Sequence, residues 1–152
     1  MYTGLTEDQV VQRFKGKIHC SQVVLMEMAE ALGYDAEEAA RIAAPFGGGM
    51  LRGDTCGAVT GALMAIGMRF GNSEHGNAAQ DSLCREKVRL FQDRFSERFG
   101  STICRELLGY DFSQPGGAQE IAASGKLFTN CPGYVLGALA ILAEIFAEAE
   151  DD

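Results

Sequence analysis

The sequence predicts an all-α domain, a compact bundle of about six to eight helices with cysteines at helix N-termini. Three observations carry that expectation. Apolar residues recur at three- and four-residue spacing through several segments, capping and breaking residues bound those segments, and no stretch sustains two-residue alternation. At 152 residues, with 47% hydrophobic and 22% charged residues, the chain has the size and composition of a single packed domain, residues 1–152.

Thr6-Glu7-Asp8-Gln9 has the form of a capping box, and Val10, Val11 and Phe14 follow as the apolar side of a helix to about Lys15. After Gly16 a second helix from about Cys20 lines up Val23, Val24, Met26, Met28 and Leu32 before Gly33 ends it. Asp35 caps a third, Ala36 to Ala44, terminated by Pro45 and the glycines beyond. From Asp54 to Phe70, Val59, Leu63, Ile66 and Phe70 share one face. Gly57, Gly61 and the alanines leave little side chain elsewhere, so another helix can approach closely.

Gly71 to Asn77 is a turn. A long charged helix from about Ala78 to Phe99 then carries Cys84, Val88, Phe91, Phe95 and Phe99 in one stripe. Ser101 is placed to cap a short helix ending near Leu108, Asp111 to Gly117 form a loop, and Ala118 to Ala123 suit one further short helix. Pro132 fits the first helical position of the last segment, which runs to Glu150 with Val135, Leu136, Leu139, Leu142, Ile145 and Phe146 on a broad apolar surface. That surface suits either a homodimer contact or a helix covered on two faces inside one monomer.

The net charge of −8 and the lack of any basic run argue against nucleic acid as a partner. The first residues have neither the basic start nor the apolar stretch of a secretory signal. The apolar runs Cys56 to Met68 and Cys131 to Ala143 are short for a bilayer, so a soluble cytoplasmic protein without membrane contact is expected. The cytosol keeps ordinary thiols reduced, so five cysteines there point to metal ligation or redox chemistry more than to a disulfide framework.

Four of the five fall at or within the first turn of a helix: Cys20; Cys56, two residues after the candidate cap Asp54; Cys104, three after Ser101; and Cys131, just before Pro132. Free backbone amides and the helix dipole there favour a thiolate, which attacks disulfides and binds soft metals. Arg52 and Arg105 stand close by in sequence to add positive potential. The plainer reading is that short polar-tolerant residues gather at helix ends. Cys84 continues the apolar stripe of its helix and reads as packing. No pair is spaced C-x-x-C, so any joint action of the thiols must be assembled by tertiary structure.

The glycine run 47–53 leading through Asp54-Thr55 into Cys56-Gly57-Ala58-Val59-Thr60-Gly61, with Cys20 before it and Cys104 and Cys131-Pro132 after it, resembles a known family. This is the family of redox-active proteins named for the pattern C_GCAxxG_C_C. The resemblance runs from about Phe14 to Leu142, and Cys84 lies outside the pattern. It implies a redox role for Cys20, Cys56, Cys104 and Cys131, with a prosthetic group such as an iron–sulfur cluster as one form of it.

The same glycine run has the spacing of a phosphate-binding loop, but Asp54 stands where its lysine belongs and would repel phosphate. His19 beside Cys20 is either a ligand or base for the thiol or a solvated residue near a helix start; His75 in a polar turn reads as solvated. Two readings of function stay open. The four thiols cycle between dithiol and disulfide, carrying electrons to a partner protein or a small electron carrier as a thiol-dependent oxidoreductase would. Alternatively, the same four residues hold zinc or an iron–sulfur cluster.

Overall fold

The computed structural model describes residues 4–151, and among them the chain is helical without strands. In order, the helices are α1 (Glu7–Lys15), α2 (Cys20–Ala29), α3 (Ala36–Ala43), α4 (Gly57–Phe70), α5 (Ala78–Phe99), α6 (Cys104–Leu108), α7 (Gly117–Ser124), α8 (Lys126–Thr129) and α9 (Cys131–Asp151). Short 3₁₀ turns extend α2 through Leu32 and α3 through Phe46.

The caps act as their residues dictate. Gln9 N–H donates to the Thr6 hydroxyl while Thr6 N–H donates to the Gln9 side chain, and Glu37 N–H donates to the Asp35 carboxylate. Gly33 ends the second segment in the left-handed conformation, φ 84°. Helix α8, a segment that the sequence reading does not assign, is separated from α7 by Gly125 at φ 76°.

The main core is built on α2, α4, α5 and α9. Val23, Val24 and Leu25 of α2 meet Ala58, Val59, Ala62 and Ile66 of α4, all fully buried. The two helices come together at Gly61 because it has no side chain: a Cβ there would lie 2.6 Å from the Ser21 carbonyl oxygen. Leu139, Leu142 and Ile145 of α9 are also fully buried, and each contributes about 1.5–3 kcal/mol through the apolar surface it removes from water.

Helices α8 and α9 together (Lys126–Asp151) are long and apolar enough to cross a membrane by length and composition, at a mean hydropathy of 1.5, although the runs within them are short. Just over half, 56%, of the most apolar 18-residue stretch within them is buried inside the protein, as a core helix requires. On α5, Phe91 and Phe95 are fully buried, and Phe99 closes the row against Tyr134 of α9, edge to face at 5.1 Å.

A second, smaller core joins α6, α7 and the start of α9 through Cys104, Leu108 and Ile121. The seam between the two cores is where the cysteines meet. Cys20 and Cys56 belong to the main core, Cys104 and Cys131 to the smaller one, and Tyr134 packs on both.

Two expected caps are corrected. Asp54 does not cap α4. The helix starts three residues later with Cys56 itself at the N-cap, because Thr55 is drawn into a backbone bridge with Ile103. Ser101 does not cap α6 either. Ile103 holds that position, and the Ser101 hydroxyl accepts from Ile103 N–H while donating to Glu106.

Candidate functional site

Cys20, Cys56, Cys104 and Cys131 line one cavity of about 420 Å³ between the two cores. Cys84 does not. It sits half-buried on α5 against the main core, as its place in the apolar stripe indicates. All five are free thiols, and Cys56 and Cys104 are each only 6% exposed.

Each motif cysteine is placed by a local device. Cys20 opens α2, and Gly57, the first residue of α4, gives up a side chain where the Cys20 sulfur lies. Cys56 and Cys104 are locked together through the main chain: Cys56 N–H donates to the Thr102 carbonyl at 2.8 Å and Cys104 N–H to the Asp54 carbonyl at 2.6 Å. Arg105 tightens this crossing, its guanidinium donating to the Asp54 carboxylate at 3.0 Å and the Gly53 carbonyl at 3.2 Å. Cys131 opens α9, one turn before Tyr134, whose hydroxyl donates to the Leu107 carbonyl.

The glycine run is a backbone device. Gly48, Gly49, Met50 and Leu51 are four consecutive left-handed residues, with φ between 57° and 63°. A side chain at Gly49 would strike the Asp54 main chain and one at Gly47 the His19 Cβ, while one at Gly48 would crowd the Phe112 ring. The run therefore folds back tightly ahead of Cys56. His19 is exposed on the cavity rim and His75 is exposed in its turn.

Electrostatics correct one expectation. Position at a helix start does not leave these thiols ionised, because burial disfavours the thiolate more than dipoles and amides favour it. Burial pushes the Cys20 thiol up despite the opposing N–H groups of Gly48, Ser21 and Gly57. It raises Cys56 as well, with Cys20 adding repulsion and the amides of Ala58 and Val59 opposing. Cys104 is pushed up to about 12 by burial, then by Cys20 and Asp111, against a partial offset from Arg105. Cys131 is raised by burial and by the other three sulfurs. Cys56, Cys104 and Cys131 thus each sense at least one other motif sulfur, and four negative sulfurs cannot share the cavity without positive charge among them.

That donor set is chemically selective. Four sulfurs in an apolar cavity suit thiophilic metals and exclude calcium or magnesium, which take oxygen ligands. Among the described residues, no group of three or more His, Cys, Asp or Glu side chains is arranged to hold a single metal ion. A four-sulfur zinc site needs its ligands converged on one point, whereas an iron–sulfur group takes sulfurs spread more widely around it. The aromatic and cationic lining, Phe14, Phe112, Tyr134 and Lys17, had no signal in the sequence, because these residues come from four separate segments.

No curated protein and no solved structure matches this chain. A family model described as "Putative redox-active protein (C_GCAxxG_C_C)" matches residues 18–145, which span all four cavity cysteines. The chain therefore belongs to the C_GCAxxG_C_C family.

Proposed function

We propose that Cys20, Cys56, Cys104 and Cys131 act as one redox unit and ligate an iron–sulfur cluster in the cavity between the two cores. The carrying observation is that four cysteines from four helices line one cavity while the fifth is left outside it. Their raised thiol pKa values support the reading. Buried neutral thiols are weak nucleophiles toward disulfides, whereas a bound iron centre supplies the positive charge that removes their protons. The cluster would supply one-electron transfer. The chain's own part is to present four sulfurs, to exclude water with apolar walls, and to aim main-chain N–H groups at the Cys20 and Cys56 sulfurs, a feature that tunes reduction potential.

A second reading is favoured by one contact. Gly57 directly follows Cys56 and lies against the Cys20 sulfur, so these two cysteines are close neighbours. In that reading the pair forms a disulfide on oxidation, releasing two protons and two electrons to an acceptor.

Anaerobic purification with iron and acid-labile sulfide analysis decides between them. Iron and sulfide in similar amounts, lost together from a Cys56→Ser variant, support the cluster. Metal-free protein with a mass-mapped Cys20–Cys56 disulfide that opens on reduction supports thiol cycling.

A further inference from the structure

The cavity has more wall than four sulfurs require, and its mouth is built differently from its depth. The buried Cys56 and Cys104 lie deep, while Lys17, Leu51 and Phe128 line the same cavity and are exposed. Among the described residues only three non-glycine residues have a positive φ, namely Lys17 at 70°, Met50 at 57° and Leu51 at 61°, and two of them line this cavity. Left-handed backbone is costly for residues with a Cβ, and such outliers concentrate at functional sites.

Both positions are poorly filled from the standpoint of folding alone. At the end of α1 the left-handed φ falls on Lys17 although Gly16 stands immediately before it at φ −82°. Leu51 is 68% exposed, an apolar side chain held in water by a strained backbone. Phe14, Phe112 and Phe128 add aromatic surface, Lys17 is the one lysine in the lining, and no carboxylate lines the cavity among the described residues. Lys17 makes no ion pair among the described residues.

We propose that the mouth of this cavity binds a planar aromatic molecule of quinone type carrying one acidic group, its ring covered by Leu51 and the phenylalanines and its anion held by Lys17. An apolar cavity of some hundreds of cubic ångströms with a few polar groups is the usual form of a small-molecule site. The inference deepens the proposed redox role by naming the class of small partner the site receives.

The test uses the protein as isolated anaerobically, titrated with anthraquinone-2-sulfonate, which has no thiol-reactive position, and with neutral 2-(hydroxymethyl)anthraquinone. Saturable one-to-one binding is expected, tighter for the sulfonate by about fivefold, the size of an exposed ion pair. Lys17→Gly removes the charge and relaxes the backbone. It should abolish the sulfonate preference while leaving the thermal midpoint unchanged or higher, so that lost affinity is not lost fold. Leu51→Gly should weaken both probes alike. Absence of saturable binding, a sulfonate preference that survives Lys17→Gly, or full affinity in Leu51→Gly overturns the proposal. Iron, sulfide and thiol content of the same samples reports on the proposed cluster separately, so either idea can fail without the other.

Discussion

The Cys20 sulfur occupies the space that a side chain at position 57 would fill, so Gly57 and Cys20 are complementary across the junction of α2 and α4. The relationship explains why glycine follows Cys56: the second residue of the motif makes room for the first cysteine of the set. A Cβ at 57 would also press on Ser21 N at 3.1 Å and the Phe46 carbonyl oxygen at 3.2 Å, both main-chain atoms that yield little. Gly57→Ala should therefore cost about 1–3 kcal/mol through overpacking. Helix content should persist by circular dichroism while iron content, or Cys20–Cys56 pairing, falls sharply. An alanine variant with full redox capacity would show that the Cys20 position is not critical.

The five cysteines should divide four to one. Cys84→Ala trims a half-buried side chain on α5 and should cost about 1 kcal/mol in chemical denaturation, with metal and thiol titration otherwise intact. Serine at 20, 56, 104 or 131 should each disable the redox readout. A Cys84 variant that loses the activity would mean that the cavity is not the site.

Legibility in the sequence followed the range of the interaction. The Thr6 box, the Asp35 cap and the Ala78–Phe99 helix were readable because each is decided within a few residues. The failures at Asp54 and Ser101 share one cause, the pairing of Thr55 with Ile103, which joins segments far apart in the chain and overrides local capping. For the site, the cysteines were identifiable by type and position. Their ionisation was misjudged because a helix terminus is visible locally, whereas burial between two cores is not. Lys17 and Leu51 were invisible for a similar reason, since nothing in their neighbours reveals a left-handed backbone.

Arg105 ties the Cys104 helix to the Cys56 loop, but from an exposed position where its ion pair with Asp54 is worth at most about 1 kcal/mol. Arg105→Ala should thus change global stability little. Its effect should appear at Cys104, where the guanidinium opposes the upward shift of the thiol. Reduced, metal-free variant should alkylate at Cys104 more slowly than wild type at the same alkaline pH. A faster reaction would indicate that the arginine acts instead by holding the loop closed.

The pH dependence of stability should reverse sign when the cavity is filled. In reduced, metal-free protein the Cys104 thiol is pushed up to about 12 from an ordinary value of 9.0, with the other three motif thiols raised as well. Below the ordinary value both folded and unfolded chains keep these protons, so the native preference is fully present. Above it the unfolded chain ionises while the native chain does not, and stability falls until pH passes the native values. Urea midpoints should accordingly decline between roughly pH 8 and pH 11, and Cys104→Ser should flatten part of that decline. With a cluster bound, the native sulfurs are thiolates and the unfolded chain is the state that takes up protons. Stability should then be lost as pH falls, because protons compete with iron for the same sulfurs. Protein containing iron and sulfide whose midpoint still declines only on the alkaline side would show that the metal is held somewhere other than by these four cysteines.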